Sequence, residues 1–349
     1  MKGAITSLDV AKLANVSQSA VSRAFTPGAS VSKSTRARVM QAAGTLNYRP
    51  NAIARSLITK KSRIIAVVMS QLDNLFYPMV LEKLSLRLRL DGLHVMLFFS
   101  DRYESDGVLE EILQYRVDGI VMASTVLSSA LARDCASIGC PVVLFNRMTH
   151  QAANEQHPVS AVTSDNEMGG RLVARHLVGG GHRRMAYIAG AEDSSTNADR
   201  ERGFCDELAL LGQPLFARAV GHYRFDSASE AARTLFSSSH DRPDAVFVGS
   251  DHMAFAVMDV LRNELGLHIP DDVSVVGFDN VPQANWGAYQ LTTVAQPVEA
   301  MIEAIAQLLR DGLHGANHPQ IITVACPLVV RSSSRTAVDR APLCLVKGL

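Results

Sequence analysis

The chain has 349 residues, 47% of them apolar and 19% charged, with 34 basic and 34 acidic side chains. That length predicts more than one domain, each with a sizeable core, and no apolar run is long enough for a helix to span a bilayer. The zero net charge hides a split: up to Arg63 there are eleven basic residues against the single acid Asp9, so this segment carries +10 and the remainder −10.

A basic segment attached to an acidic body predicts a polyanionic partner for the segment. The first residues, "MKGAITSLDV", show no long apolar stretch and no cleavage pattern, so a cytoplasmic protein without a signal peptide is expected. The five cysteines (Cys135, Cys140, Cys205, Cys326 and Cys344) are scattered. They predict free thiols rather than a disulfide framework or a metal site.

The elements begin at Thr6, which can cap a helix with Asp9 in its acid-friendly first turn. Val10, Ala11 and Ala14 form its apolar stripe, and Asn15 can take the left-handed conformation that ends it. Ser17 caps a second helix, in which Val21, Ala24 and Phe25 share one face. The other face shows Gln18, Ser19, Ser22 and Arg23, residue types that reach base edges in a major groove. After Pro27–Gly28, Ser32 starts a third helix with Val39, Ala43 and Leu46 inward and Arg36 and Arg38 outward. This is the pattern of a helix-turn-helix, whose second helix enters the groove. Pro50 then stops the third helix, and Asn51 can cap a short helix over Ala52–Leu57, too short to be stable alone in water.

"DVAKLANVSQSAVSRAF", "VSKSTRARV" and "NYRPNAIARSL" closely resemble the head of the LacI/GalR family of bacterial transcription regulators. The resemblance runs to about Ser334 and implies half of a homodimer on a near-palindromic double-stranded operator. It assigns base reading to Gln18, Ser19 and Arg23, beside Ser17 and Ser22. It also implies that the segment holding Asn51, Ala54 and Leu57 becomes helical on DNA, with Leu57 wedged into the minor groove. Asn15 replaces the usual glycine of the turn.

From Arg63 the pattern changes to "IIAVVM", "HVMLFF", "GIVMA", "PVVLF", "MAYIA", "AVFVG" and "VSVVGF", separated by helical stretches. Such runs predict buried parallel strands, and their number predicts two doubly wound α/β lobes. Together with the resemblance, this implies an all-α helix-turn-helix head (1–48), a hinge (49–62) and a periplasmic-binding-protein-like core (63–349) as the expected fold. The first lobe is expected over about 63–163 and 292–325, and the second over about 164–291 and 326–340. Crossovers are expected near Val162–Ser164, Leu291–Val294 and Val324–Pro327. The tail after Arg335 has no heptad, so no tetramerising coiled coil is expected.

Ligands bind beyond the carboxyl ends of strands in such sheets. Those positions hold Asn74, Phe76 and Tyr77 after the first run, then Asn146 and Arg147 after "PVVLF". They hold Thr196 and Arg200 after "MAYIA", then Tyr223, Ser250, Asp279 and Gln296. Amides, carboxylates, guanidinium groups and aromatic faces suit a polyhydroxylated ring. The resemblance implies that these positions line the effector cleft. Asn146 stands where an aspartate is common, Ser250 where an asparagine is common, and Leu75 replaces a usual proline. The expected effector is a sugar or a sugar acid. Purine-responsive corepression is the alternative, disfavoured by Ser194 where the purine-binding relative has an arginine. Asp251, before "HMAFAVMDVL", is expected to be a helix N-cap, and His182, in "VGGGHRR", a surface or capping residue. Neither a nucleophile elbow, a metal-spaced cluster nor a phosphate loop is present, so neither catalysis nor a cofactor is expected. A solute receptor matches the body alone, but the basic head argues against it.

Overall fold

In the computed structural model, which describes residues 5–26, 28–51, 61–70, 72–99, 105–123, 139–147, 159–238, 240–315 and 318–336, the chain divides between Ser62 and Arg63 into two units. The first is built on local capping. Helix α1 (Ser7–Ala14) opens with a reciprocal box, in which the Asp9 amide donates to the Thr6 hydroxyl and the Thr6 amide to the Asp9 carboxylate. Asn15 ends it in the left-handed conformation, at φ 50° and ψ 56°. Ser17 caps α2 (Gln18–Phe25) by accepting from the Ala20 amide, and Ser32 caps α3 (Lys33–Thr45) by accepting from the Thr35 amide.

Val10, Ala14, Val21, Ala24, Val39 and Ala43 are buried where the three helices meet. Phe25 meets Tyr48 edge-on, with ring centroids 5.9 Å apart. Helices of this length hold only through such mutual packing. Arg36, expected outward, is half-buried, and its guanidinium donates to the Ala24 carbonyl at the end of α2. That carbonyl is one of those a helix end leaves without an internal partner. Residues 52–60, with the expected hinge helix, Ala54 and Leu57, lie outside the described residues.

The second unit holds two six-stranded sheets. The first is parallel throughout, in the order β11-β5-β4-β3-β1-β2. Its strands are β1 (Ile64–Met69), β2 (His94–Phe99), β3 (Gly119–Ala123), β4 (Val142–Phe145), β5 (Ser160–Ser164) and β11 (Ile321–Val324). The second runs β12-β10-β9-β8-β6-β7, with β12 antiparallel to β10. It comprises β6 (Met185–Ala189), β7 (Ala217–Val220), β8 (Ala245–Val248), β9 (Ser274–Asp279), β10 (Thr292–Ala295) and β12 (Leu328–Val329). Every residue of β3, β4, β6, β8 and β9 is buried, which explains runs that are apolar without alternation.

The helices follow the strands. They are α4 (Phe76–Leu90), α5 (Ser105–Gln114), α6 (Asn166–Gly179), α7 (Ser195–Leu210), α8 (Phe225–Phe236), α9 (Asp251–Asp259) and α10 (Val298–Leu313). The second lobe boundary differs from expectation. Thr292–Ala295 belongs to the second sheet, paired in register with Val276–Asp279, so the crossing falls at Gln296–Pro297 and not at Leu291–Val294. The parallel register sets Ala295 beside Asp279 and delivers Gln296 to the end of β9.

Candidate DNA-reading face and effector cleft

On α2, Ala20, Val21 and Ala24 are buried, while Gln18, Ser19, Ser22 and Arg23 are exposed. Gln18 Nε2 donates to the Ser7 hydroxyl (2.9 Å) and ties α2 to the start of α1. Arg23 Nε makes a long contact with the Ser19 carbonyl (3.4 Å), which leaves its guanidinium face in solvent. A short polar row with one exposed guanidinium, held by an apolar back face, is a surface that can enter a groove. Asn51 is exposed at the edge of the described head.

In the second unit, Arg200 on α7 is buried (2% exposed) without a tight ion pair. Its Nε donates to Asn166 Oδ1 (2.8 Å), its Nη1 to the Gly249 carbonyl (2.5 Å), and its plane lies 3.6 Å from the centre of the Phe278 ring. Asp279 Oδ1 is 3.9 Å from Arg200 Nη1 and accepts from Gln296 Nε2 at 2.7 Å. Ser164 Oγ, at the end of β5 in the first sheet, donates to Gln296 Oε1 (2.8 Å). The polar chain Ser164–Gln296–Asp279–Arg200 therefore joins the two lobes.

Close backbone packing places Arg200. A β-carbon on Gly203 of α7 would lie 2.0 Å from the Glu167 carbonyl of α6, and one on Gly170 2.3 Å from the Arg200 carbonyl. Only glycine admits this approach. A β-carbon on Gly190, after β6, would strike the Tyr223 ring at 2.1 Å, so the missing side chain seats that ring. Tyr223 Oη is 3.4 Å from Thr196 Oγ1, which also meets Ser194 at 2.8 Å.

On the first lobe, Asn74 Oδ1 accepts from the Phe76 amide (3.1 Å) and orders the start of α4. Phe76 stacks on Phe145 with an interplanar angle of 7° and meets Tyr77 edge-on. Asn146 follows β4 at φ 53°, Tyr223 stands at φ 58° and Asp279 at φ 132°. Left-handed backbone at non-glycine residues costs on the order of 1–3 kcal/mol each and collects at functional sites. Among the described residues three buried side-chain oxygens have no hydrogen-bond partner, and two of them stand at strand ends: Asn146 Oδ1 after β4 on the first lobe and Asp279 Oδ2 at the end of β9 on the second; the third, Gln283 Oε1, lies beyond β9. No direct hydrogen bond joins Asn74, Asn146 or Ser250 to the Arg200–Asp279–Gln296 group among the described residues.

Burial pushes the Asp279 carboxyl up to about 7, opposed by Arg200 and reinforced by Asp251. Asp251 is itself raised by burial. It was expected to cap α9, but Ser250 does so by accepting from the Met253 amide (3.4 Å). Asp251 instead accepts from the Val281 amide (2.9 Å) and the Thr293 hydroxyl (2.5 Å), pinning α9 to the turn after β9 and to β10. His182, expected as a surface or capping residue, is buried, with Nδ1 3.4 Å from Asp244 and within 3.4 Å of the Arg335 guanidinium.

Residues 6–51 match the model of the bacterial regulatory proteins of the lacI family, and residues 174–334 match a periplasmic binding protein-like domain. The HTH-type transcriptional repressor PurR of Vibrio vulnificus (strain CMCP6) is 30% identical over 338 residues, covering 93% of this chain and 97% of that protein.

The chain belongs to the LacI family of bacterial regulatory proteins.

Its structure agrees. The lac repressor dimer bound to operator and the anti-inducer ONPF matches with a TM-score of 0.85 at 25% identity, over 96% of this chain and 100% of that one. A complex of the transcriptional regulator CelR with cellobiose matches at 0.71 and 30% identity, over 95% and 100%. This LacI-family chain is thus a DNA-binding transcription regulator. Among its described residues no helix is long and apolar enough to cross a membrane, and no group of three metal-ligating side chains occurs.

Three residues that contact Arg200 or Gln296 were not among those expected: Ser164, Asn166 and Phe278. Asn166 Nδ2 donates to the Ser164 carbonyl (2.9 Å) and Thr163 Oγ1 (3.1 Å) while its Oδ1 holds Arg200. The strand-end rule reaches Asn166 as well, two residues after the crossover expected near Val162–Ser164.

Proposed function

We propose that this regulator is a cytoplasmic repressor, homodimeric on a near-palindromic operator, that a sugar or sugar acid releases from DNA. The observation that carries the effector reading is the pair of buried, unpartnered oxygens, Asn146 Oδ1 and Asp279 Oδ2, on opposite lobes. A buried acceptor without a donor costs about 1–3 kcal/mol, and hydroxyl donors bridging the lobes remove that cost. The effector site comprises Asn74, Phe76, Tyr77, Asn146, Arg147, Thr196, Arg200, Tyr223, Ser250, Asp279 and Gln296. Gln18, Ser19, Ser22 and Arg23 read bases, Ser17 holds their helix, and Asn51, Ala54 and Leu57 belong to the hinge. The CelR–cellobiose complex supports a carbohydrate, and the operator-bound lac repressor dimer supports the assembly on DNA.

Effector binding draws the lobes together about the three crossovers, and the hinge segment 49–62 passes that change to the head. A coupling of roughly 1–3 kcal/mol lowers operator affinity about 5- to 150-fold. The test is a thermal-shift screen of the full-length protein with pentoses, hexoses, sugar acids and purines. A ligand at about a hundred times its dissociation constant stabilises by ~2.7 kcal/mol and raises the melting temperature. A sugar or sugar-acid response supports the reading; a purine response, or silence across the panel, overturns it.

A further inference from the structure

The chemical class of the effector is written in the charge balance of the cleft, an inference that rests on the effector reading above. Arg147 leaves β4 directly after Asn146 and is half-buried. Its guanidinium makes neither a hydrogen bond nor an ion pair with any described residue. Burial pushes its pKa down, and the charge of Asp193, on the loop after β6 of the opposite lobe, only partly offsets this. Asp193 is exposed and forms no ion pair with it. The residue beside Arg147 is an amide, Asn146, and not a carboxylate. The other cleft guanidinium, Arg200, is committed to Asn166, the Gly249 carbonyl, Asp279 and the face of Phe278.

The cleft therefore offers a half-buried guanidinium without an ion-pair partner among the described residues, and buried acceptors without donors at the adjacent residue Asn146 (Oδ1) and, on the opposite lobe, at Asp279 (Oδ2). A partly desolvated guanidinium is costly to leave unpaired, and its planar fork matches a carboxylate with two parallel N–H donors. A neutral sugar satisfies the acceptors but offers Arg147 only hydroxyl lone pairs. A phosphate dianion calls for more positive charge than one guanidinium. The only lysine within residues 64–336 is Lys83, which is paired with Glu299 on the α4–α10 surface.

We propose that the effector is a polyhydroxylated carboxylate, a sugar acid, whose carboxylate seats on Arg147 and whose hydroxyls donate to Asn146 Oδ1 and Asp279 Oδ2.

The test is calorimetric titration of the full-length protein near neutral pH with matched probes: glucuronate and glucose, galacturonate and galactose, gluconate, and glucose 6-phosphate. At least one acid binds roughly tenfold or more tightly than its neutral counterpart, about 1.4 kcal/mol. Arg147→Gln collapses that preference, and Arg147→Lys keeps part of it. Asn146→Asp, which supplies the missing counter-ion from within, also narrows the preference and provides an independent variant should Arg147→Gln fold poorly. Neutral sugars binding as well as the acids overturn the carboxylate while the cleft reading survives. A response to the phosphate alone overturns it in favour of a phosphorylated effector. An acid preference that survives both Arg147→Gln and Asn146→Asp removes Arg147 as the partner. Silence to every probe overturns this proposal, and a purine response in the broader screen overturns the cleft reading with it.

Discussion

Asp279 accepts from Gln296 through one carboxyl oxygen, while the other is buried without a donor. Its carboxyl is raised to about 7, chiefly by burial, whereas an aspartate in the unfolded chain titrates near ~3.9. Between those two values the folded state holds the proton that the unfolded state has lost, so this residue lowers stability as pH rises through the window. Above the folded value the full cost is present; below the unfolded value it is absent. Asp279→Asn replaces the orphan oxygen with an amide nitrogen. The variant without effector is expected to melt above the wild type at pH 8, with an advantage that shrinks as pH falls to 5 and has not yet vanished there, checked by thermal denaturation across the range. The same change weakens effector binding by roughly 1–3 kcal/mol, because a hydroxyl donor loses its acceptor. A variant that gains no stability at high pH places the ionised carboxylate in a better-solvated setting than the geometry describes.

Helices α6 and α7 show how an element positions a residue that is far away in sequence. Their backbones touch through Gly170 and Gly203, and Arg200 lies one turn before Gly203 on the same helix. Gly203→Ala forces the helices apart and is expected to destabilise by about 1–3 kcal/mol, the range for overpacking, measured by denaturant melts. The separation also pulls Arg200 from Asn166 and Gly249, so the effector response falls more than stability alone accounts for. An alanine accommodated without loss means that α7 slides rather than separates. In the head, by contrast, α1, α2 and α3 are each set by a cap within three residues of their start, and little but their mutual apolar faces is needed to dock them.

At the scale of the molecule, the charge split of +10 on the head against −10 on the body separates two tasks. Phosphate neutralisation supplies DNA affinity, and an acidic body leaves that surface to the head. The sites are accordingly separable. Arg23→Ala is expected to weaken operator binding by ~1–3 kcal/mol and to leave effector affinity unchanged, checked by DNA titration beside calorimetry. Equal losses in both assays contradict two distinct sites.

The same contrast explains what could be read in advance. The caps at Thr6, Ser17 and Ser32, the left-handed Asn15 and the strands β1, β3, β4, β6, β8 and β9 depend on contacts or patterns local in the chain, and the residues themselves announced them. The strand-end rule then located Arg200, Asp279 and Gln296 without saying that they touch. Crossover segments were expected at β5 and β10, but the sheet that Thr292–Ala295 joins is set by its pairing with β9, a long-range contact. Arg36 and His182 escaped because outward or inward orientation depends on which carbonyl or carboxylate another segment brings near. By itself, then, the sequence determined a basic helix-turn-helix head, two parallel-sheet lobes and the family to which they belong, since periodicity, capping and charge are local quantities. Only the tertiary structure decided which polar groups pair and which stay unpartnered. Hydrogen bonding between residues such as Arg200 and Asn166 or Gln296 and Asp279 follows from strand register and helix approach, which no single segment encodes.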